Sequence, residues 1–418
     1  MIGEKDGRPD MQPDRRRKRS KIGRKAKNRT LRILGVVLVI LVLLLVVLLI
    51  LFFMKQRKEE EEAQKALLEA AEREVQEAEE RETEYVIPET ATEETEQPET
   101  EITETEQATT MIFTGDVLLQ QTTLGRYQAD GLSGILSEDL AETFRNADIL
   151  MINEEFPFGV TGEPAPDKQF TFRTDPQYVS AFQEMGVDVV GLANNHVLDY
   201  GTPALLETFA TLDGAGIPYA GAGEDLARAS ALQVIEKNGK RFGFLAASRV
   251  WPSGSWAAGP EHPGCFGTYD PARLLEAIRS AKEEQGCDFV TVFVHWGVER
   301  NTLPEDYQKS LAKQYAEAGA DLVIGMHPHV LQGIEYIGDM PVFYSLGNFI
   351  FGSNSYQTAA VAVTVFQDNT KEVTVIPCLA GGGFTRRAEG EEAQAVFDTL
   401  NALSFGASVG ADGACNPL

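Results

Sequence analysis

Cysteine and histidine are scarce in this chain of 418 residues, with four of the first and five of the second. Cys265, Cys287, Cys378 and Cys415 show no C-x-x-C spacing, so they form no zinc knuckle, and four are too few for a disulfide scaffold. A single disulfide stays open, with no pair singled out. Bases are also short after the first 58 positions. Those positions take 16 of the 37 Lys and Arg and only 4 of the 63 Asp and Glu, which leaves 21 bases against 59 acids. Such a region does not bind nucleic acid by counterion release, and it repels polyanions unless cations mediate the contact. There is no internal repeat.

What is there begins with charge and a long apolar run. Eleven Lys or Arg lie between Arg15 and Arg32, followed by "ILGVVLVILVLLLVVLLILFFM" from Ile33 to Met54. These 22 residues, at ~1.5 Å each, span ~33 Å, enough to cross a bilayer core. "KQRKEEEE" follows instead of a small-residue cleavage site, so the segment reads as a single-pass signal anchor. The basic side should stay cytoplasmic and the rest should lie outside. The expected organisation is a basic tail (1–32), the anchor (33–54), a helical Glu/Ala/Gln stalk (55–84), an acidic disordered linker (85–110), a folded domain (111–405) and a tail (406–418).

From Met111 onward, short apolar runs alternate with amphipathic stretches, which predicts an α/β layered fold. Helices are expected over 137–146, 175–185, 203–213, 271–284 and 305–318, with Ser137, Asp175, Thr202 and Asp270 as caps. Later runs with Gly-Asp and Asp-Asn turns read as hairpins. Two face-to-face sheets, one partly antiparallel, with helices outside, are the expected architecture.

Metal-binding side chains recur where the strands end, the edge at which an open α/β sheet presents its ligand crevice. "MIFTG" ends in Asp116; "ILMIN" runs into Asn153, Glu154 and Glu155; "VDVVGLA" ends in Asn194, Asn195, His196 and Asp199. "VTVFV" ends in His295, with Glu299 four residues on, and "LVIG" in His327 and His329. Only His262 sits apart in a loop. In "GMHPHV" two imidazoles at i and i+2 project to one side of an extended segment stiffened by proline. A lone strand-end Asp is usually a cap and a lone His usually structural, but five strand ends of this kind point to a metal site. Nitrogen and oxygen donors without thiolate suit Mn, Zn or Fe, as one ion or as two about 3.5–4 Å apart.

"FTGDVLL", "NEEFP", "GLANNHVLDYG", "HWGVE", "GMHPHVLQGIE" and "YSLGNFIF", in this order, resemble the poly-γ-glutamate capsule-synthesis family of the CapA type, within the calcineurin-like metallophosphoesterases. The likeness runs from Met111 to Ala380. It implies a four-layer α/β/β/α sandwich on an outward-facing, membrane-anchored domain. It implies that Asp116, Glu155, Asn195, His295, His327 and His329 bind a divalent metal, with Glu155 bridging. It also implies that His196 faces the substrate's developing charge. Asp199 reads as the acceptor that orients His196. One departure is Leu118, where phosphoesterases carry a histidine. Two functions follow: an extracytoplasmic metal-dependent hydrolase or transferase of an anionic glutamate polymer, or a non-catalytic polymer-binding subunit of a membrane synthesis and export complex. Arg249 and Arg300, Trp251 and Asn348 are the substrate-binding candidates, and Trp251, Trp256 and Trp296 could shape a groove.

Overall fold

The computed structural model describes residues 108–352 and 356–418. The basic tail, the anchor, the stalk and nearly all of the acidic linker lie outside the described residues. Among the described residues no helix is long and apolar enough to cross a membrane.

In chain order the first strands are β1 (Thr109–Val117), β2 (Ile149–Glu154), β3 (Val189–Gly191), β4 (Tyr219–Ala220) and β5 (Ala222–Gly223). Next come β6 (Gln233–Lys237), β7 (Lys240–Ser248), β8 (Gly264–Cys265), β9 (Phe289–His295) and β10 (Leu322–Met326). The hairpin β11 (Ile334–Ile337) and β12 (Met340–Phe343) precedes β13 (Asn348–Ile350), β14 (Tyr356–Val365), β15 (Lys371–Gly381) and β16 (Phe384–Arg387). The chain ends with β17 (Ala407–Val409) and β18 (Cys415–Pro417).

Sheet one runs β16-β15-β14-β1-β2-β3-β4, with β13 beside the end of β1; sheet two runs β11-β12-β10-β9-β7-β6. Both sheets are mixed, where only one was expected to be. β14, β15 and β16 are antiparallel in the first, and the hairpins β6–β7 and β11–β12 in the second. The β11–β12 turn at Gly338-Asp339 and the β14–β15 turn at Asp368-Asn369 are the two the sequence predicts, while β6–β7 turns at Asn238-Gly239.

Alternation along the strands builds the layers, because successive side chains point to opposite faces. On β9, Phe289 and Phe293 join the core shared with sheet one, while Val290, Val292 and Val294 pack into a second core on the opposite face. Phe113 of β1 and Phe293 of β9 have ring centroids 6.5 Å apart, so the two sheets meet face to face. The helices are α1 (Gln121–Asp130), α2 (Glu138–Arg145), α3 (Ser180–Met185), α4 (Gly201–Ala215), α5 (Leu226–Ala229), α6 (Ala272–Glu283), α7 (Asp306–Ala318) and α8 (Gly390–Leu403). Leu140, Phe144, Phe182, Leu205 and Phe209 bring α2, α3 and α4 onto sheet one. Leu274, Ile278, Leu311 and Tyr315 bring α6 and α7 onto sheet two. The layers follow the order α/β/β/α.

Local expectations fared unevenly. Asp175 Oδ1 accepts from Gln177 N at 3.0 Å and caps the 3-10 turn Pro176–Val179 that leads into α3. Asp270 Oδ1 accepts from Ala272 N at 3.0 Å, but the cap position of α6 is Pro271, which makes no side-chain bond. Ser137 makes no side-chain cap bond, and Thr202 lies inside α4. Residues 406–418 are not a loose tail. β17 and β18 pair with each other, Val375 N donates to Gly413 O at 2.8 Å, and Cys415 is buried. All four cysteines are free and buried, so none is bridged.

Candidate metal centre

The site forms where parallel strands of both sheets end. Asp116 lies in β1 in register with Asn153 of β2, and Glu155 follows β2 directly. Asn195 follows β3, His295 is the last residue of β9, and His327 follows β10. Each sits at a strand's carboxyl end, so backbone geometry alone collects them. All but His329 are buried, and His329 keeps 15% side-chain exposure.

Two overlapping groups of donor atoms share Glu155, one with His327 and His329 and the other with Asp116 and His295, each within 4.8 Å of one another. His329 reaches both carboxylates, with Nδ1 3.2 Å from Asp116 Oδ2 and Nε2 3.7 Å from Glu155 Oε1. His295 Nε2 lies 2.9 Å from Asn195 Oδ1, 3.1 Å from His327 Nδ1 and 3.8 Å from Glu155 Oε1. Asp116 Oδ2 and both carboxylate oxygens of Glu155 are buried with no hydrogen-bond partner. Buried acceptors are normally satisfied, so these atoms fit a cation between them. Burial pushes the Glu155 carboxyl well up, with the Asp116 charge adding to the effect. Burial and the neighbouring imidazoles push His295 well down and His327 down to about 3, which keeps their nitrogen lone pairs free to ligate. His329 is the opposite case. Burial alone would lower it, but the carboxylates of Glu155 and Asp116 raise it to about 10.

The segment carrying the last two histidines is not extended, as the sequence suggested. His327 has φ 97° and His329 φ 59°, both in the left-handed region that side chains disfavour. This double kink around Pro328 sets the two rings 5.8 Å apart, and both offer a nitrogen to the group that includes Glu155. Strained backbone of this kind concentrates at functional sites.

Beside the donors, His196 Nδ1 lies 2.6 Å from Asp199 Oδ2, which holds the ring by that nitrogen and leaves Nε2 as the atom not engaged by Asp199. Phe172 packs against the ring at 4.5 Å between centroids. Lys168 was not anticipated. Its Nζ bonds Asn195 O at 2.5 Å, pairs with Asp199 Oδ1, lies 3.0 Å from His196 Nδ1, and sits 5.1 Å from the Trp256 ring. A single lysine in the polar loop "PAPDKQF" carries no sequence signal for this placement. Asn153 and Asn194 were seen only as strand-end residues. Asn153 Nδ2 donates to Asp116 Oδ1 at 2.8 Å, and Asn194 Oδ1 accepts from His196 N at 2.9 Å, so each holds a site residue in place.

The other candidates scatter. Asn348 is brought in, with Oδ1 2.7 Å from His329 Nδ1. Arg249 donates to the carbonyls of Thr268 and Tyr269 and lies over the Tyr269 and Tyr307 rings, so its charge is already engaged. Arg300 is exposed, with φ 61°. Trp251 is half-buried against Tyr269 at 5.0 Å. Trp296 is core, stacked on Tyr315 and Tyr344.

Residues 110–353 match the family model described as bacterial capsule synthesis protein PGA_cap. The capsule biosynthesis protein CapA of Bacillus anthracis is 31% identical over 303 residues, covering 70% of this chain and 72% of that protein. The PGA biosynthesis protein CapA of Bacillus subtilis is 31% identical over 258 residues, covering 61% and 66%. A probable polyglutamine synthesis accessory protein of Mycobacterium tuberculosis is 33% identical over 210 residues, covering 49% and 55%. The matched segment holds every donor of both sets, and on these grounds the chain belongs to the bacterial capsule synthesis protein family.

Proposed function

We propose that this protein is a membrane-anchored, extracytoplasmic, metal-dependent hydrolase or transferase acting on an anionic glutamate polymer during capsule synthesis, export or attachment. The observation that carries the reading is the pair of largely buried donor groups sharing Glu155, with the His196–Asp199 pair beside them. When bound, a divalent ion polarises a phosphoryl or acyl oxygen and acidifies water. The chain's own residues supply the rest. Asp199 holds His196 by Nδ1, so Nε2 can stabilise or protonate a departing group. Lys168 braces Asp199 and the Asn195 carbonyl together. The names of the relatives supply the polymer, and membrane synthesis and export proteins are the proposed partners. The segment 33–54 supplies the anchor.

One observation favours a second reading, a non-catalytic metal-dependent polymer binder. Leu118 is buried and apolar at the position where phosphoesterases carry a histidine. The two readings part on two variants compared at matched levels on intact cells, where added protease must reach 108–418 and spare 1–32. Under the enzyme reading, His196→Ala keeps its metal and slows turnover ~10²–10³-fold. His327→Ala loses metal and also loses the stability that a bound ligand adds by mass action. Full capsule with His196→Ala but none with His327→Ala would sink the enzyme and leave the binder.

A further inference from the structure

Resting on that metal reading, we infer that Asn348 is itself a ligand, joining Asp116 Oδ2 and His329 Nδ1 around one ion in place of the donor missing at Leu118. The inference stands on how the chain brings Asn348 there. Beyond Thr114, β1 leaves its partner β14 and pairs instead with the short strand β13, which sets Asn348 opposite Asp116. Leu118 N donates to Ile350 O at 2.7 Å, so β13 lies along the edge occupied by residue 118.

Two glycines permit the approach. A Cβ on Gly115 would fall 2.0 Å from Gly347 O, and Gly347 has φ 72°. Asp116 N then donates to Gly347 O at 3.0 Å.

The carboxamide is 2% exposed, and its Oδ1 lies 2.7 Å from His329 Nδ1. The unpartnered Asp116 Oδ2 lies 3.2 Å from that same nitrogen. A single ring proton can satisfy only one of these two oxygens. Donors bound to one ion at about 2.1 Å stand roughly 3 Å apart, so a cation among the three atoms satisfies all of them. Replacing an imidazole by a carbonyl oxygen also changes what the position accepts, since oxygen donors suit Mn and Mg better than Zn. This position therefore suits Mn²⁺ better than the same position with an imidazole would.

The test is Mn²⁺ titration of the full-length protein in detergent, with Mn anomalous diffraction from its crystals. Asn348→Ala should lose at least about 100-fold in Mn²⁺ affinity at one position only, and Asn348→Asp, which keeps an oxygen there, should retain it. The anomalous peak should fall within about 2.5 Å of Asn348 Oδ1. A peak more than about 3 Å away, or an Asn348→Ala protein within threefold of the parent, overturns the assignment while leaving the metal reading intact. A parent protein that takes up no Mn²⁺ or Zn²⁺ overturns the metal reading itself.

Discussion

Glu154 shows how far one residue's neighbourhood departs from its name. It sits between two site residues, yet both of its carboxylate oxygens are buried without a partner, and burial pushes its carboxyl well up. The folded protein then keeps a proton that the unfolded chain releases above the ordinary value of 4.5. With more protons bound folded than unfolded, stability falls as pH rises, by up to ~1.4 kcal/mol per unit for a single group. Glu154→Gln should flatten that slope, measured by denaturant unfolding between pH 5 and 7. An unchanged slope would mean that Glu154 is already ionised in the fold. Residue identity at the strand ends was readable because acids, amides and imidazoles have no packing reason to follow apolar runs. The roles of Glu154 and Glu155 were harder to separate. Both are polar residues after the same strand, and only the alternation of faces tells which one meets His295 and His329.

At the scale of elements, strands and helices were legible from apolar periodicity, while the loops between them were not. The segment from Thr161 to Phe172 is polar, and its folded position depends on contacts made by Lys168 with residues about 30 positions away. Phe172 N donates to Asp199 Oδ2 at 2.7 Å, so the same aspartate anchors both the loop and His196. Lys168→Met leaves Asp199 without its cation in a buried setting. We expect a loss of about 3 kcal/mol, near the low end for breaking a buried pair, because the ammonium keeps 12% exposure. Hydrogen exchange at 168–172 should speed more than in the core strands, and uniform protection in the variant would show that the loop holds without the ion pair. The kink at His327 and His329 was invisible for a related reason. Pattern predicts strands, but the backbone beyond a strand end follows the site it builds.

For the whole molecule, the donors divide evenly by sheet. Asp116, Glu155 and Asn195 come from sheet one and His295, His327 and His329 from sheet two. Chelation should therefore lower the cooperative unfolding temperature of the entire domain, and amide exchange in β2 and β9 should speed together. Faster exchange confined to the 327–329 loop would show that the ion does not join the sheets. The α/β alternation and the late hairpins were legible, but the way the chain divides between the sheets was not, because every strand run looks alike in sequence. Sheet two is drawn from one stretch of chain, β6 to β12 with only β8 left out to pair with β5, set between the first four strands of sheet one and its last four. The pairing of Thr109 with Val365 thus joins residues far apart in the chain. Contacts of such long sequence separation must wait for loop closure, which slows folding. Until β14 arrives, β1 presents a buried-type apolar edge with open backbone donors and acceptors, the kind of edge that seeds association between unfinished chains. The order of synthesis leaves that edge uncovered until the domain is nearly complete.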